Sequence, residues 1–174
     1  MNAVVEEARP MTQPDVRALR NALGVYPTGV TIVTTRGVDG RSVGLTVNSF
    51  ASLSLEPPLL LWSLSNRSPN LRAFRTASHF VVNVLAQEQE DLAMRFASPS
   101  IVDKFEGVAL RDDPLGHAHG VPLVDGAAAW FVCACRDAIE TGDHTLFIGR
   151  VVAHESATEQ SPLVFQGGRF AALR

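Results

Sequence analysis

The sequence predicts a mainly β protein, an antiparallel sheet closed into a barrel with short helices packed outside it. Strand-like segments are numerous, roughly six or seven, and most are separated by turns of hairpin length. Only about two or three short helical segments interrupt them, and no G-x-G-x-x-G follows a strand. This order favours an antiparallel barrel over a doubly wound βαβ sheet.

The first predicted elements are a helix and a β-hairpin. Thr12 as N-cap, Pro14 in the first turn and Asp15 after them indicate the start of the helix. The apolar period then changes to that of a strand. The segments "VTIVTT" and "SVGLTV", joined through Asp39-Gly40, predict the hairpin.

A continuous apolar run, "PLLLWSL", comes next and predicts a strand buried on both faces. Ser68-Pro69 is typical of an N-cap followed by proline at the first helical position, so we expect a helix to begin there. The remaining elements are a strand in "HFVVNVL", a helix in "QEQEDLAMRFA", two strands in "AAAWFVCACRDAIE" and "HTLFIGRVVAHE", and a last short strand in "PLVFQGGRFAALR".

Charge and hydropathy narrow the function classes. The formal charge is −3 and no block of Lys or Arg occurs, so nucleic-acid binding is not expected. Residues 1–12 lack the pattern of a secretory signal and are predicted to form a flexible arm, with residues 13–174 as a single domain. The longest apolar run is far shorter than the about 20 residues of a membrane helix, so we expect a cytoplasmic protein.

The two cysteines, Cys133 and Cys135, lie two positions apart in a predicted strand and so share one face. An ordinary disulfide between such neighbours is not expected. His117 and His119 could complete a zinc site with them, but the spacing matches no zinc-binding pattern. The preferred prediction is that no metal binds and that both cysteines are small apolar side chains in a strand core.

No metalloprotease, hydrolase or P-loop motif occurs in the chain. What stands out instead is two groups of hydroxyl and amide side chains at the ends of strands. Such neutral donors, together with free backbone N–H groups, bind phosphates or the polar edges of rings. The alternative is that they only cap turns. The groups are Thr46, Asn48 and Ser49, and then Ser63, Ser65, Asn66, Arg67 and Ser68.

Five segments, in this order and spacing, resemble the short-chain flavin reductases, the reductase components of two-component flavin-dependent monooxygenases. The resemblance extends from about Arg20 to Phe170. It implies an FMN-binding split β-barrel of Greek-key type and a homodimer with the flavin near the subunit interface. The segments are "YPTGVTIVTT", "GLTVNSFASLSLEPPLLLWSL", "FVVNVLAQEQEDLAMRFA", "TGDHTLFIGRV" and "PLVFQGGRF".

The resemblance also implies which residues hold the cofactor. Residues 46–49 are expected along the isoalloxazine and ribityl chain, residues 63–68 near the phosphate, and the Gly-Asp-His turn close to flavin and nicotinamide. Phe165 and Arg169 are candidates to cover the ring or contact the dinucleotide, with a core role as the alternative for the phenylalanine. The flavin-binding candidates are Thr46, Val47, Asn48, Ser49, Ser63, Ser65, Arg67, Ser68, Asp143, His144, Phe165 and Arg169.

The implied activity is hydride transfer from NADH or NADPH to FMN or FAD, which supplies reduced flavin to a partner monooxygenase. This chemistry belongs to the cofactors, so the protein needs to position two rings rather than supply a nucleophile. His144 is predicted as the catalytic residue, with the role of orienting the nicotinamide. Two alternatives stay open: a flavin-binding carrier or sensor without turnover, and an oxidase of the pyridoxamine phosphate type.

Overall fold

The computed structural model describes residues 15–113, 116–157 and 159–173. The predicted arm, residues 1–12, lies outside this part of the chain. The helices are α1 (Val16–Leu23), α2 (Leu71–Thr76) and α3 (Glu90–Ala97), and a short 3-10 helix (Gln87–Gln89) precedes α3. The strands are β1 (Thr28–Gly29), β2 (Thr31–Arg36), β3 (Ser42–Val47), β4 (Ala51–Leu55), β5 (Pro58–Ser65), β6 (His79–Val84), β7 (Leu110–Arg111), β8 (Leu123–Val124), β9 (Ala129–Thr141), β10 (His144–Ser156), β11 (Val164–Gln166) and β12 (Arg169–Ala171).

Seven of these strands form one antiparallel sheet in the order β3-β2-β6-β9-β10-β5-β4. Strands β1, β11 and β12 form a second, three-stranded sheet, and β7 pairs with β8. The prediction of a mainly β, antiparallel protein with short helices is therefore confirmed.

The two edge strands of the large sheet, β3 and β4, are consecutive in the chain. Only residues 48–50 separate them, and an extended residue spans at most about 3.3–3.6 Å. The sheet must therefore curl until its two edges approach each other. In the described part of the chain these edges are not paired along their length. The result is a barrel that is split between β3 and the β4–β5 pair, with its opening at residues 48–50.

Aromatic side chains fill the inside of the curled sheet. Trp62 is fully buried and stacks on Phe147, with 4.6 Å between ring centroids. Phe74 and Phe80 pack against the same indole ring at steep angles. A second apolar cluster, which includes the fully buried Phe96, packs α3 against the sheet. These clusters hold in place the strand ends at which the polar residues lie.

The first helix begins later than predicted. Asp15 is the N-cap of α1, and its carboxylate accepts hydrogen bonds from the backbone N–H groups of Arg17 and Ala18 at 3.0 and 3.1 Å. The expectation that Asp15 lies inside the helix is therefore wrong, because this carboxylate satisfies two N–H groups that have no partner within the helix. Thr12 and Pro14 lie outside the described residues.

Strand β5 is buried on one face, not on both. Leu60, Trp62 and Leu64 are buried, whereas the residues between them are half-buried. The prediction failed because an apolar run does not reveal whether a second layer covers the sheet. Strand β4, which the sequence did not predict, pairs with β5 and contains Ser52 and Ser54.

Helix α2 begins at Leu71, with Asn70 as its N-cap, so the predicted start at Ser68-Pro69 is wrong. Ser68 lies in a turn instead. Its N–H donates to the Ser65 carbonyl at 2.9 Å, and its Oγ accepts from the N–H of Asn70 at 3.3 Å. The serine satisfies groups of this turn rather than groups of the helix.

The other predicted elements are confirmed. The hairpin β2–β3 turns at Asp39-Gly40, where Gly40 has φ +75°, and β6, α3 and the β9–β10 hairpin lie in the predicted segments. The C-terminal segment holds two short strands rather than one. In the described part of the chain, no helix combines the length and the apolar character needed to cross a membrane.

Candidate functional site

The hydroxyl group of Ser49 bridges the opening of the barrel. Ser49 Oγ donates to the Ser63 carbonyl oxygen at 3.2 Å and accepts from the Ser63 N–H at 3.0 Å. Strand β4 pairs with β5 only as far as Leu61, so Ser63 extends beyond it. The Ser49 hydroxyl thus makes the hydrogen bonds to the Ser63 backbone that a neighbouring strand would otherwise make. We call the region of Asn48, Ser49 and Ser63 the polar gap.

Residues 46–48 differ in whether their hydrogen-bond donors are available to a ligand. Thr46 donates its only hydroxyl hydrogen to the Ala93 carbonyl of α3 at 2.6 Å, and Val47 is buried. Asn48 is exposed, and neither its side-chain amide nor its backbone N–H makes a hydrogen bond to a described residue. Asn48 therefore has free donors in the polar gap.

Residues 65–68, here called the serine loop, leave the end of β5. Ser65 Oγ accepts from the N–H of Arg67 at 3.3 Å, and Ser68 caps the next turn as described above. The side chain of Arg67 is exposed. The turn-capping alternative thus applies to the two serine hydroxyls, while the Arg67 side chain makes no hydrogen bond or ion pair with any residue that the structure describes.

The hairpin between β9 and β10 brings the predicted histidine to the serine loop. Residues 141–144, here called the histidine turn, have Gly142 at φ +58°. His144 pairs with Thr141 across the hairpin and with Ser65 of β5 on its other side. The N–H of Asn66 donates to the Asp143 carbonyl at 2.9 Å. The serine loop and the histidine turn therefore lie side by side.

Asp143 and His144 form a hydrogen-bonded pair, with 2.7 Å between Oδ1 and Nδ1. Because a carboxylate can only accept, Nδ1 carries the hydrogen and Nε2 is left for another partner. The hydrogen bond from His144, followed by the charges of His144 and Arg67, lowers the pKa of Asp143 below its ordinary value. Asp143 is therefore ionised at neutral pH and holds the His144 ring through its Nδ1–H group.

Two residues next to the site, Arg75 and Thr145, were missed by the sequence reasoning as functional candidates, and both connect to Asn66, which belongs to the predicted polar group. Thr145 is fully buried although it is polar, and it is hydrogen-bonded to both Arg75 and Asn66. The only sequence signal was a threonine next to His144 in an otherwise apolar strand segment.

Phe165 and Arg169 lie in the three-stranded sheet, and no hydrogen bond or ring contact among the described residues joins them to the polar gap. They belong to the β11–β12 hairpin, where Phe165 packs against Phe170 with 5.5 Å between ring centroids. Phe165 borders the apolar cluster around α3, and no described contact joins either residue to the histidine turn. The structure thus brings together the candidates of residues 46–68 and 143–144 but leaves these two apart.

The cysteines and histidines do not converge on a metal. Among the described residues, no group of three or more His, Cys, Asp or Glu side chains could hold an ion. Burial raises the pKa of Cys133 to about 12 and of Cys135 to about 11, so both thiols are protonated. His119 instead stacks on His79, with 3.9 Å between ring centroids.

Two shallow clefts of about 200 and 430 Å³ lie elsewhere on the chain, and none of the candidate residues lines them. The polar gap is an open surface in the single chain. Asn48 of the polar gap presents neutral donors, Arg67 of the serine loop a cation, and His144 of the histidine turn an imidazole. Such a set can bind the polar edge of a planar ring together with an anionic group.

We expect Gly142→Ala to lower the free energy of unfolding by about 1 kcal/mol, because a side chain at φ +58° is strained. A Cβ at this position would meet no atom within 4 Å, so the change tests backbone conformation alone. Gly29→Ala is the matched control, since it also has open space and no positive φ. Urea unfolding followed by circular dichroism measures both, and equal losses at the two positions would contradict the turn conformation.

Comparison with known proteins decides the family. The model of the family described as "Flavin reductase like domain" matches residues 23–174. The chain belongs to this flavin reductase family. The match includes every residue of the polar gap, the serine loop and the histidine turn.

Relatives of this flavin reductase domain have established names. The chain is 44% identical over 159 residues to the reductase component of a flavin-dependent trigonelline monooxygenase from Acinetobacter baylyi, covering 91% of this chain and 50% of that protein. It is 43% identical over 157 residues to an NADH-dependent FMN reductase, SmoA, from Agrobacterium fabrum, covering 88% and 84%. The chain spans about half to two thirds of the length of the first curated relatives it matches.

A solved structure shares the fold. The NADH:FAD oxidoreductase SgcE6 of Streptomyces globisporus, in complex with NAD and FAD fragments, matches with a TM-score of 0.86 at 36% identity. The match covers 97% of this chain and 98% of that one. The flavin reductase fold predicted from the resemblance is therefore confirmed.

Proposed function

We propose that this chain is a flavin reductase that uses NADH or NADPH to reduce FMN or FAD. The observation that carries the proposal is the polar gap, because Ser49 bonds to Ser63 of β5, and two residues further along the same strand Ser65 pairs with His144 of the histidine turn. Membership of the flavin reductase family supports it, as does the resemblance to an NADH-dependent FMN reductase and to an NADH:FAD oxidoreductase.

The residues present fit a flavin. Its ring edge and ribityl hydroxyls need neutral hydrogen-bonding partners, and the free amide and N–H of Asn48 supply them. Its phosphate needs a cation, and the exposed Arg67 side chain of the serine loop supplies one. The N–H groups of Asn66, Arg67 and Ser68 already donate to other atoms, so the phosphate contact depends on the guanidinium. Thr46 and Ser49 contribute through their backbone, because their hydroxyl hydrogens are already donated to carbonyl groups. We assign Ser63, Ser65 and Ser68 to shaping this surface.

The role of His144 follows from its pair with Asp143. The carboxylate holds Nδ1, which leaves Nε2 to face a polar group of the nicotinamide and so to orient that ring. Flavin bound here would supply the acceptor for the hydride of the reduced nicotinamide. The side chain therefore fixes a position rather than moving a proton.

Partners and location are further parts of the proposal. A flavin-dependent monooxygenase is the proposed recipient of the reduced flavin, supported by the reductase component of the trigonelline monooxygenase among the relatives. We propose a homodimer because the polar gap is open on a single chain, and a second copy would cover it. Two free thiols fit a cytoplasmic location.

The test is a turnover assay with purified protein, NADH or NADPH, and excess FMN, FAD or riboflavin, followed by nicotinamide absorbance. We expect oxidation of the nucleotide to rise with added flavin until the enzyme saturates. Protein that binds flavin and never oxidises either nucleotide would instead be the carrier or sensor. Tightly held flavin that turns over only with an amine substrate and oxygen would be the oxidase.

A further inference from the structure

A chain of hydrogen bonds joins α2 to the histidine turn. Arg75 Nη2 donates to Thr145 Oγ1 at 3.0 Å, and the Thr145 hydroxyl donates to Asn66 Oδ1 at 2.7 Å. Asn66 Nδ2 then donates to the Gly142 carbonyl oxygen at 3.3 Å. This series of hydrogen bonds thus begins on helix α2 and ends on the backbone two residues before His144.

The two end groups of this hydrogen-bond series determine which member donates each hydrogen. A guanidinium can only donate and a carbonyl oxygen can only accept. Thr145 must therefore accept from Arg75 and give its one hydrogen to Asn66. Asn66 must in turn direct its NH₂ group at Gly142. Only one arrangement satisfies every member, and this makes the position of the turn specific.

Burial makes Thr145 the critical member. Its side chain is fully buried, so its hydroxyl has no water to replace a lost partner. The ion pair between Arg75 and Glu140, at 2.9 Å, has side chains 39% and 65% exposed and contributes little by itself.

Asn66 holds the turn at two successive residues. Its side chain binds the carbonyl of Gly142 and its backbone N–H binds the carbonyl of Asp143. Both residues directly precede His144. A shift of Asn66 would therefore be transmitted to the backbone that carries the imidazole.

We propose that Arg75, Thr145 and Asn66 are positioning residues that hold His144 against the serine loop. The proposal rests on the proposed function, in which His144 orients the nicotinamide. The three residues act through the backbone of the turn.

The test measures backbone hydrogen exchange at residues 142–145 together with steady-state kinetics for NADH and for flavin. Thr145→Val removes the hydroxyl and keeps the shape, and Thr145→Ser restores the hydroxyl. Thr35→Val is the matched control, because Thr35 is also fully buried and donates one hydrogen bond, at 2.7 Å to the His79 carbonyl on another part of the sheet. Asn66→Ala is a second variant at a less buried position, in case Thr145→Val does not fold.

We expect exchange at residues 142–145 to become about tenfold faster in Thr145→Val and Asn66→Ala, and KM for NADH to rise about tenfold. In Thr145→Val the flavin Kd should stay near that of the unchanged protein, and Thr145→Ser should restore both readouts. Thr35→Val should leave the turn unchanged. Unchanged exchange at residues 142–145 in both test variants would overturn the proposal, even if the protein proved not to be a reductase. Faster exchange with an unchanged KM for NADH in an active enzyme would also overturn it.

Discussion

Trp62→Ala is expected to lower the free energy of unfolding by about 3–5 kcal/mol. The indole is fully buried, stacks on Phe147 at 4.6 Å and packs against Phe74 and Phe80. Its removal leaves a cavity between β5, β6, β10 and α2, which rigid aromatic neighbours cannot close. Since a domain is stable by only about 5–15 kcal/mol, this is a large share of the total. Urea unfolding monitored by far-ultraviolet circular dichroism gives the value.

Two further variants test whether the loss of stability comes from the aromatic cluster around Trp62. Trp62→Phe should cost much less, because it keeps a ring on Phe147 and deletes an Nε1–H that has no hydrogen-bond partner in the described residues. Trp130→Ala should cost about 1 kcal/mol, since Trp130 is only half-buried, with the Arg111 guanidinium 4.9 Å from its ring centroid. Equal losses at the two tryptophans would show that the aromatic cluster does not dominate the core.

His144→Ala is expected to lower kcat/KM for the nicotinamide nucleotide by about 10- to 100-fold. The imidazole is held by Asp143 at 2.7 Å, so its Nε2 has a defined place beside the serine loop. Without it the nicotinamide ring loses an orienting contact, while the donors of the polar gap stay. The flavin Kd should therefore change by less than about threefold. Stopped-flow reduction and flavin titration separate the two quantities.

His154→Ala is the matched control, because His154 lies on the same strand at its other end and is exposed. It should leave both quantities at their original values. A His144→Ala variant with unchanged nucleotide kinetics, or one in which flavin binding falls as much as nucleotide use, would contradict the assigned role.

The candidate site could be predicted in its parts but not in its contacts. Asn48 was predicted to bind the flavin, and its side chain is exposed in the structure. Ser49 was expected on the ligand, yet its hydroxyl joins the two edges of the barrel through Ser63. No local pattern could show this, because the partner of Ser49 depends on where β4 stops along β5.

By itself, the sequence determined most strands of the large sheet and the hairpin turns at Asp39-Gly40 and Gly142-Asp143. These follow from residue periodicity and from backbone conformations that few residue types accept, so they are local properties. The family followed from the resemblance of five sequence segments. Only the tertiary structure decided that β3 and β4 lie at opposite edges of one sheet and that Asn66, Thr145 and Arg75 meet. Those contacts join segments far apart in the chain, and only the curl of the whole sheet brings them within hydrogen-bonding distance.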